Sequence, residues 1–564
     1  MGSCCANRPF TCRRFAARLL LAVPITVLGA TQAGTPPSNN PVADVLRQRL
    51  GEMRSVGRAE TERSELSARA ALPILYEKGA YQPFWSPARL ETLQALLRES
   101  AQDGLRPEDY HAAELASLAP ELADPGTDPQ ARARIDLIAT DAFYLLLYHL
   151  YLGKVDPKTL NANWNFEPRP VGNQGGIPFV LDALTSGRLR EAVERVRPDY
   201  WWYKNARAAL AEYRGLAERG GWETIPAGPT LKPGMKGPRV VALRRRLAVT
   251  GELPGPPLDS ETFDEPLAAA VREFQKRHRL SADGVVAAGT LAELNVPVEK
   301  RVLQIRINLE RARWVLGELT DVPLVIVDVA GFEVAYRRDG QVIWKSKVQI
   351  GKPYRQTPIF KSKIDQVVFN PTWTVPPGIL AKDVLPAAKR DPGYFQRKGF
   401  DLFDRNGRKV DPSTVNWAVQ TAARFPYSVV QPPGPDNSLG SVKILFPNPY
   451  FVYLHDTPHK EHFQETARAF SSGCMRVERP LELAELVLND SATWNAQSIA
   501  RVIEAGQTQT VRLKQPVTVL IMYWTIDPTV AGQTVFKRDP YDRDPPLEKA
   551  LDAPIPFQAG NSPR

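Results

Sequence analysis

The spacing of apolar residues changes along this chain of 564 residues, and that change limits the fold more than any other feature. From about residue 41 to residue 298, apolar side chains recur every three or four positions, which is the period of amphipathic helices. From about Pro323 onward, short apolar and alternating runs follow one another, as strands do. A chain of this length is expected to form three or four domains. The sequence therefore predicts a multidomain α+β protein, with helices first and a mainly β domain last.

The first helical segment, residues 41–225, is expected to be a scaffold domain that carries no chemistry of its own. Helical spacing is clearest at 90–101, 133–152 and 205–218, and the last of these runs into Gly220 and Gly221, which stop a helix. Aromatic clusters at 81–85 and 199–203 flank these helices. We expect them to pack in the core, and a ligand platform is the alternative.

Residues 1–33 have the features of a secretory signal peptide. A basic start with four arginines and no acidic residue precedes a short apolar run at 19–28, and small residues then lead to a plausible cut after Ala33. The run is shorter than the roughly 20 residues of a membrane span. An uncleaved N-terminal anchor is the alternative, and no integral membrane segment is expected in the mature chain. The net charge of +10 falls to +6 without these arginines, which gives no reason to expect nucleic acid as a partner.

A second unit is predicted at residues 229–298, with short helices separated by turns. Its order, LKPGMKGPRVVALRRRL followed by FDEPLAAAVREFQKRHRLSADGVVAAGTLAELN, resembles the small three-helix peptidoglycan-binding module. The resemblance implies contact with peptidoglycan glycan and stem peptides. The basic run at 244–246 is expected to be a solvated helix face, and a contact with wall carboxylates is the alternative.

The last domain is predicted at residues 301–545. Strands are expected at 324–327, 332–336, 342–350, 367–370, 451–455, 510–513 and 517–526, and Asp339-Gly340 is a strong hairpin turn. Residues 378–440 interrupt this pattern and are too long for a loop in a compact domain. We therefore expect an inserted capping sub-domain there, which could cover a site, and a flexible tail at 546–564.

One cysteine remains once the expected leader is removed, because Cys4, Cys5 and Cys12 all lie within it. Cys474 stands in the sequence SSGCMRV, nineteen residues after His455 in YLHDTP. In an oxidising compartment a lone thiol is either an inert core residue or a reactive group. A nearby histidine and the tight turn allowed by Gly473 favour a nucleophile with a base, beside converging backbone N–H groups that suit an oxyanion hole.

Three of the six histidines, at positions 455, 459 and 462, could suggest a metal site. Pro458 and the strand before His455 argue against a single helix that would carry all three, and no acidic or thiol ligand set is obvious nearby. We therefore predict neither a metal nor an organic cofactor.

The strings YLHDTP and SSGCMRV, with IGKPYRQTPIF at 350–360, resemble the YkuD-type L,D-transpeptidase catalytic domain, which is a β-sandwich. Together with the scaffold, the peptidoglycan-binding module and the cap, the mature chain resembles the large periplasmic subgroup of Gram-negative bacteria. The usual family string has histidine directly before Gly-Cys. Ser472 stands there in this chain, as it does in the large subgroup.

This resemblance implies a cysteine acyltransferase of the periplasm that contributes to cell-wall organisation and cell shape. Cys474 would be the nucleophile, His455 the base, and the N–H groups of Ser472, Gly473 and Cys474 the oxyanion hole. The thiolate would attack the carbonyl of meso-diaminopimelate at position three of a tetrapeptide stem and release D-Ala. The side-chain amine of a second stem would then attack the thioester and give a 3→3 cross-link. Carbapenems are expected to acylate the same cysteine.

Substrate contacts are predicted around this centre. Arg476 would bind a substrate carboxylate, with a structural salt bridge as an equal alternative. Tyr453 would line the pocket or pack in the core. Asn370, Trp373 and Thr374 would form part of the groove wall.

Other functions stay open at this point. An L,D-carboxypeptidase would use the same acyl-enzyme, and a wall-binding scaffold would leave Cys474 silent. Sortase-like enzymes place histidine, cysteine and arginine further apart, and papain-like or NlpC-type peptidases need a histidine after the cysteine, which this chain lacks. The sequence does not predict an oligomeric state.

Overall fold

A computed structural model describes residues 40–555 except for 57–59, 62–63, 170–175, 256–258, 392 and 530–532. The expected leader at 1–33 lies outside these described residues, and so does the end of the expected tail, 556–564.

The N-terminal part is helical, as the apolar spacing predicts. Its helices are α1 Pro41–Val56, α2 Leu72–Lys78, α3 Pro87–Glu99, α4 Ala112–Ala123, α5 Pro129–Leu152, α6 Pro157–Leu160, α7 Ile177–Ser186, α8 Leu189–Val196 and α9 Trp201–Glu218, with a small hairpin of β1 Glu60–Thr61 and β2 Ser64–Glu65. Among the described helices, α5 is long and apolar enough to cross a membrane, but 78% of its most apolar window is buried inside the protein. It is the central helix of the first core.

The aromatic cluster at 81–85 packs in this core, as expected. The buried carboxylate of Asp136 on α5 accepts hydrogen bonds from the backbone N–H groups of Phe84 and Trp85. The indole of Trp85 donates to Thr140 on the next turn of α5. The cluster therefore fixes a loop against α5 and is not a ligand platform.

Helix α9 leaves the first core and joins the β domain. Its residues Tyr203, Leu210 and Tyr213 belong to the same buried cluster as α13 Val298–Val315 and the large sheet. Trp202 packs against Trp524, with ring centroids 4.6 Å apart. The helical segment 41–225 thus contributes to two hydrophobic cores, because the apolar face of α9 meets α13.

The peptidoglycan-binding-like unit contains α10 Pro238–Val249, α11 Glu265–Arg277 and α12 Ala288–Leu294 around a small core. Its basic run differs from the expected solvated face. Arg244 is buried and paired with Asp264 at 2.6 Å, and Arg246 is buried with its guanidinium 3.8 Å from the ring centre of Trp222. Only Arg245 points to solvent. The long apolar stems of arginine allow this packing, which a count of charges does not reveal.

The C-terminal domain is built on a large mixed sheet. Its strands, with those of a smaller sheet and a final hairpin, are β3 Leu324–Asp328, β4 Glu333–Arg338, β5 Gln341–Gly351, β6 Phe360–Phe369, β7 Trp373–Thr374, β8 Asp401–Phe403, β9 Lys409–Val410, β10 Ser428–Gln431, β11 Val442–Leu445, β12 Leu454–His455, β13 Ala469–Ser471, β14 Met475–Val477, β15 Gln509–Met522, β16 Ile526–Pro528 and β17 Thr534–Phe536. The remaining helices are α14 Pro377–Ile379, α15 Leu385–Arg390, α16 Tyr394–Arg397, α17 Pro480–Leu488, α18 Ala496–Glu504 and α19 Asp544–Asp552.

The large sheet has the order β13-β5-β14-β12-β11-β6-β15-β3-β4, and β5 also pairs with β4. Because β5 is eleven residues long, it pairs with β13 and β14 at one end of the sheet and with β4 at the other. The sheet is thereby closed on itself. The two strands expected at 510–513 and 517–526 are largely one bulged strand, β15, followed by the short β16. The strand expected at 451–455 is reduced to β12, since Phe451 has a φ of 56° and lies outside the sheet.

An inserted sub-domain interrupts the large sheet, and it begins with β7, before the expected boundary at residue 378. Its sheet has the order β7-β10-β8-β9, and its own core includes Phe395, Leu402 and Trp417. A π-helical turn, Leu380–Val384, connects α14 to α15.

The C-terminal end differs from the expected flexible tail. Residues 544–552 form α19, whose Leu547 and Leu551 are buried. Lys154 donates hydrogen bonds to the carbonyls of Leu551 and Ala553 and so ties this end to the helical part. Apolar burial and these bonds hold the segment in place, at least as far as the described residues reach.

Candidate active site

Cys474 is the last of the three residues that connect β13 to β14. Gly473 has a φ of 117°, which favours glycine, and it lets the chain reverse directly before the cysteine. The hydroxyl of Ser471 donates to the carbonyl of Cys474 and accepts a hydrogen bond from the N–H of Gly473 at 3.1 Å. Ser471 thus closes the turn from inside, a role that the sequence did not indicate.

This arrangement changes the predicted oxyanion hole. The N–H of Gly473 is directed at Ser471, so the expected contribution of Gly473 is contradicted by the structure. Within the described part of the chain, the backbone N–H groups of Ser472 and Cys474 have no hydrogen-bond acceptor. These two remain free for a developing oxyanion, which requires pre-oriented donors.

A second network fixes the turn from below. The buried Thr357 donates from its hydroxyl to the carbonyl of Gly473 at 2.9 Å and accepts from the N–H of Gly351 at 3.0 Å. The hydroxyl of Tyr541 donates to the carbonyl of Gly351 and accepts from the N–H of Thr357. A Cβ on Gly351 would lie 2.0 Å from the carbonyl oxygen of Arg355 and 3.0 Å from the Cα of Gly473. The glycine in IGKPYRQTPIF therefore permits the close approach of two chain segments.

His455 is brought to Cys474 by the pairing of two short strands. β12 and β14 run parallel, with Leu454 opposite Met475 and His455 opposite Arg476. Tyr453, the residue before β12, accepts the N–H of Met475 with its carbonyl. The side chains of Tyr453, His455 and Cys474 all line one cleft. The fold thus brings two residues that are nineteen positions apart in the sequence to the same cleft.

His455 is neutral in this setting. It is 4% exposed, and burial, together with the positive charge of Arg476, lowers its pKa to about 3. Its Nδ1 is buried and has no hydrogen-bond partner among the described residues. An unsatisfied imidazole nitrogen in the cleft that Cys474 also lines is available to take a proton.

Cys474 is also neutral at rest. It is partly buried, and burial raises the pKa of its thiol, while Tyr453 and the positive charges of Lys443 and Arg476 act in the opposite direction. A neutral thiol and a neutral imidazole can react only if the proton passes from sulfur to nitrogen during attack. The site therefore suits general-base activation rather than a preformed thiolate–imidazolium pair.

The same cleft of about 960 Å³ is lined by two half-buried cations, Arg476 and Lys443, that have no ion-pair partner in the described residues. The guanidinium of Arg476 donates from Nη1 to the buried amide of Gln349 at 3.3 Å. Lys443, opposite His455 in the β11–β12 pair, holds its ammonium 4.3 Å from the ring centre of Tyr453. The salt-bridge alternative for Arg476 is thus not found, and both cations can meet an anionic ligand. Sequence reasoning missed Lys443, whose strand partner only the fold reveals.

The other predicted groove residues separate into two groups. Trp373 and Thr374 on β7 line the cleft, and so does Tyr453. Asn370 does not, because its amide donates to the carbonyl of Val502 at 2.8 Å at the end of α18. Asn370 therefore has a structural role, and its predicted place in the groove wall is wrong.

Arg355 connects the cleft to the inserted sub-domain. Its guanidinium donates to the hydroxyl of Ser472 at 2.8 Å and to the carboxylate of Asp383 at 3.1 Å. Asp383 belongs to the π-helical turn of the sub-domain. One side chain thus joins the nucleophile turn to the element that borders the cleft.

No group of three His, Cys, Asp or Glu side chains in the described residues has the arrangement of a metal site. His459 lies beside Glu461, and His462 stacks on Phe470 with ring centroids 4.6 Å apart. His455 lines the cleft, and neither His459 nor His462 does.

Comparison with known families assigns three regions of the chain. Residues 323–519 match the L,D-transpeptidase catalytic domain of the YkuD family, residues 236–294 match a domain described as "Putative peptidoglycan binding domain", and residues 70–210 match a scaffold domain. The fold class predicted from the sequence is thereby confirmed. Domains of this kind indicate an exported, cell-wall-associated protein.

A relative from Haemophilus influenzae, named "Putative L,D-transpeptidase", is 35% identical over 201 residues. The aligned stretch covers 36% of this chain and 40% of the relative's length. The chain thus spans about two fifths of the length of this relative.

Two solved structures are also similar. The L,D-transpeptidase of Xylanimonas cellulosilytica is 14% identical and covers 53% of this chain and 99% of its own, with a TM-score of 0.17. The L,D-transpeptidase of Stackebrandtia nassauensis is 14% identical and covers 52% of this chain and 97% of its own, with a TM-score of 0.20. Likeness at these scores supports no inference about activity.

Proposed function

We propose that this protein, which carries an L,D-transpeptidase catalytic domain of the YkuD family together with a peptidoglycan-binding domain, forms 3→3 cross-links in peptidoglycan through a thioester on Cys474. The observation that carries the proposal is that Cys474 lines the same cleft as the buried His455, whose Nδ1 has no hydrogen-bond partner among the described residues. A silent wall-binding scaffold would have no need for an unsatisfied imidazole in the cleft of its one described cysteine.

The first half-reaction is acylation. As Cys474 Sγ attacks the carbonyl carbon of the third stem residue, its proton passes to His455, and the carbonyl oxygen becomes an oxyanion. The free N–H groups of Ser472 and Cys474 are placed to stabilise that charge. When the tetrahedral intermediate collapses, the C–N bond to D-Ala breaks, and the imidazolium returns the proton to the departing amine. The product is a thioester and free D-Ala.

The second half-reaction is aminolysis. The side-chain amine of a diaminopimelate on a second stem attacks the thioester carbon, and neutral His455 takes up the proton that the amine loses. Sulfur leaves and is reprotonated, which restores the thiol and gives the cross-linked dimer. Water in place of the amine would give a tripeptide, so the same site also supports L,D-carboxypeptidase activity.

The charges in the cleft fit the donor stem. A tetrapeptide stem ends in a carboxylate and carries another on D-Glu, and carboxylates form strong, directional hydrogen bonds with guanidinium groups. Arg476 and Lys443 face the cleft on the His455 side and have no acidic partner among the described residues. We assign them to donor carboxylates, with Trp373, Thr374 and Tyr453 as the wall.

We assign a separate role to each domain of the chain. Residues 41–225 act as the scaffold, 229–298 hold the enzyme on the glycan, and 301–545 perform the reaction beneath the sub-domain at 378–440. The setting is the periplasm of a Gram-negative bacterium. No bound metal or organic cofactor has a step in this mechanism.

Product analysis tests the proposal. The purified protein is mixed with disaccharide-tetrapeptide. The products are separated by liquid chromatography, and their masses are determined by mass spectrometry. A dimer that lacks one D-Ala, absent with Cys474→Ala and with His455→Ala, is expected. Tripeptide alone would favour the carboxypeptidase, and an unchanged substrate with the unaltered protein would contradict the proposal.

A further inference from the structure

The segment that follows the matched catalytic region reaches back to the nucleophile turn. The match to the L,D-transpeptidase catalytic domain ends at residue 519. Beyond it, residues 539–552, here called the C-terminal strap, include α19 and carry the buried Tyr541. The phenol of Tyr541 forms hydrogen bonds with Gly351 and with Thr357, which support the turn. A residue outside the matched region therefore contacts the network on which the nucleophile turn rests.

The phenol of Tyr541 holds two backbone groups at once. Its O–H donates to the carbonyl of Gly351 at 2.7 Å, and its oxygen accepts the N–H of Thr357 at 3.1 Å. Burial raises the pKa of Tyr541, so the phenol keeps the proton that it donates. Tyr541 thus fixes the positions of Gly351 and Thr357 relative to each other.

Thr357 connects this phenol to the turn. Its buried hydroxyl accepts the N–H of Gly351 at 3.0 Å and donates to the carbonyl of Gly473 at 2.9 Å. A threonine hydroxyl has one hydrogen, and because the N–H of Gly351 occupies a lone pair, that hydrogen is directed at Gly473. The direction of the Gly473 carbonyl is therefore set by a hydroxyl that is itself held in place.

The carbonyl of Gly473 and the N–H of Cys474 belong to one peptide unit. Such a unit is planar, and its two groups point in opposite directions. A hydrogen bond that fixes the carbonyl therefore fixes the direction of the N–H as well. This N–H is one of the two that have no acceptor among the described residues and are available to an oxyanion. An oxyanion hole is effective when its donors are oriented before the charge develops.

The strap is anchored independently of the turn. The N–H of Tyr541 donates to the phenol oxygen of Tyr523 at 3.1 Å, and that phenol donates to Asp539. Further along the strap, the carbonyl of Leu551 accepts a hydrogen bond of 2.7 Å from Lys154 of the helical part. Tyr541 is thus held by contacts on its own side and can support the turn rather than move with it.

We propose that Tyr541 is a positioning residue of the reaction, which orients the N–H of Cys474 toward the oxyanion through Thr357. The C-terminal strap is then part of the catalytic site, although it lies outside the matched region. The inference rests on the proposed function, because the direction of this N–H matters only if an oxyanion forms at Cys474.

The test compares two reactions of the same thiol in the full chain. With a carbapenem, sulfur attacks the lactam carbonyl through an oxyanion, the C–N bond opens and nitrogen takes up the proton, so the adduct has the whole mass of the carbapenem. With iodoacetamide, sulfur displaces iodide, loses its proton to solvent and forms no oxyanion. Intact mass spectrometry gives both rates. Tyr541→Phe should lower the rate of acylation about tenfold and leave the rate of alkylation within about twofold.

Two variants of Thr357 keep the test valid if Tyr541→Phe folds poorly. Thr357→Val removes the hydroxyl at nearly constant shape and should slow acylation as Tyr541→Phe does. Thr357→Ser keeps the hydroxyl and should recover most of the rate. The double variant Tyr541→Phe/Thr357→Val should be little slower than either single variant, since both changes act on one network.

Tyr336→Phe is the matched control. Tyr336 is a buried tyrosine of the same domain, and its phenol accepts a hydrogen bond of 3.0 Å from Arg338 and takes no part in the network around the turn. Both rates of this variant should equal those of the unaltered protein.

The outcomes are distinct. Unchanged acylation of Tyr541→Phe would overturn the inference and leave the proposed function intact. Acylation and alkylation that fall by the same factor would also overturn it, because the thiol itself would then be displaced. If Tyr541→Phe does not fold, unchanged acylation of Thr357→Val would overturn it instead. An unaltered protein that neither the carbapenem nor a tetrapeptide stem acylates would contradict the proposed function, and the positioning role with it.

Discussion

The guanidinium of Arg355 donates a hydrogen bond of 2.8 Å to the hydroxyl of Ser472, two residues before Cys474. The same guanidinium binds Asp383 in the inserted sub-domain. The position of the sub-domain and the position of the nucleophile turn are thus coupled through one side chain. Removal of the charge on Asp383 should weaken the attachment of the sub-domain, while the hydrogen bond from Arg355 to Ser472 stays in place.

The first prediction follows from that coupling. Asp383→Asn should increase deuterium uptake in residues 377–390 and change global stability by less than about 1 kcal/mol, because the pair is partly exposed. Hydrogen exchange followed by mass spectrometry measures this. Asp391→Asn, which removes an exposed ion pair within the sub-domain, is the control. Equal uptake in Asp383→Asn and the unaltered protein would show that the sub-domain is held by other contacts.

The second prediction concerns Gly351. A methyl group there would collide with the carbonyl of Arg355 and press on Gly473, so Gly351→Ala should displace the turn and slow acylation of Cys474 by a carbapenem at least tenfold. Labelling is followed by intact mass. Gly378→Ala is a matched control, since no atom lies within 4 Å of its added methyl. Normal labelling of Gly351→Ala would mean that the turn adjusts freely.

The third prediction concerns pH and the thiol. Because burial raises the pKa of Cys474, alkylation by iodoacetamide should still be accelerating at and above pH 8.5, the usual pKa of a free cysteine. The rate at Cys474 is measured by peptide mapping, with the urea-unfolded protein as reference. A rate that levels off below pH 7 would instead indicate a preformed thiolate–imidazolium pair.

The fourth prediction concerns acid stability. Burial lowers the pKa of His149 to about 3, below its unfolded value near 6.5, so between these values the unfolded state binds the extra proton. The contribution of neutral His149 to folding stability is therefore fully present above about pH 6.5, and it is lost as the pH falls from there toward 3. From pH 7 to pH 5 the loss is about 2 kcal/mol for this residue.

His149→Gln should therefore lose about 2 kcal/mol less than the unaltered protein between these pH values, as measured by urea unfolding of the helical part. Asp136 acts in the opposite sense, because burial raises its pKa to about 6 in the folded state. It is present in both proteins and cancels in the comparison. An identical pH dependence of the two proteins would contradict the assignment of His149 as a neutral buried group.

The parts of the fold that local pattern determines could be predicted. Helix α5 and the Asp339-Gly340 hairpin follow from apolar spacing and turn chemistry, and the SSGC turn marked Cys474. The extent of strand 451–455 could not be predicted, because Phe451 leaves the extended conformation.

Features that depend on long-range pairing could not be seen either. Lys443 enters the cleft because β11 pairs with β12, and Asn370 leaves it because α18 offers free carbonyls. The N–H of Gly473 is not available to the oxyanion hole, because it donates to the hydroxyl of Ser471. Only the folded turn brings these two groups into range. The sequence around each of these positions resembles the sequence around many ordinary surface or core residues, so it gives no signal of their roles.

The most direct test of the central claim is the mass of the enzyme after brief mixing with a tetrapeptide stem. We expect an increase equal to the mass of the donor minus that of D-Ala, located at Cys474 by peptide mapping and absent from Cys474→Ala. His455→Ala should form this adduct far more slowly. An unaltered mass, or an adduct at another residue, would contradict a thioester mechanism at this cysteine.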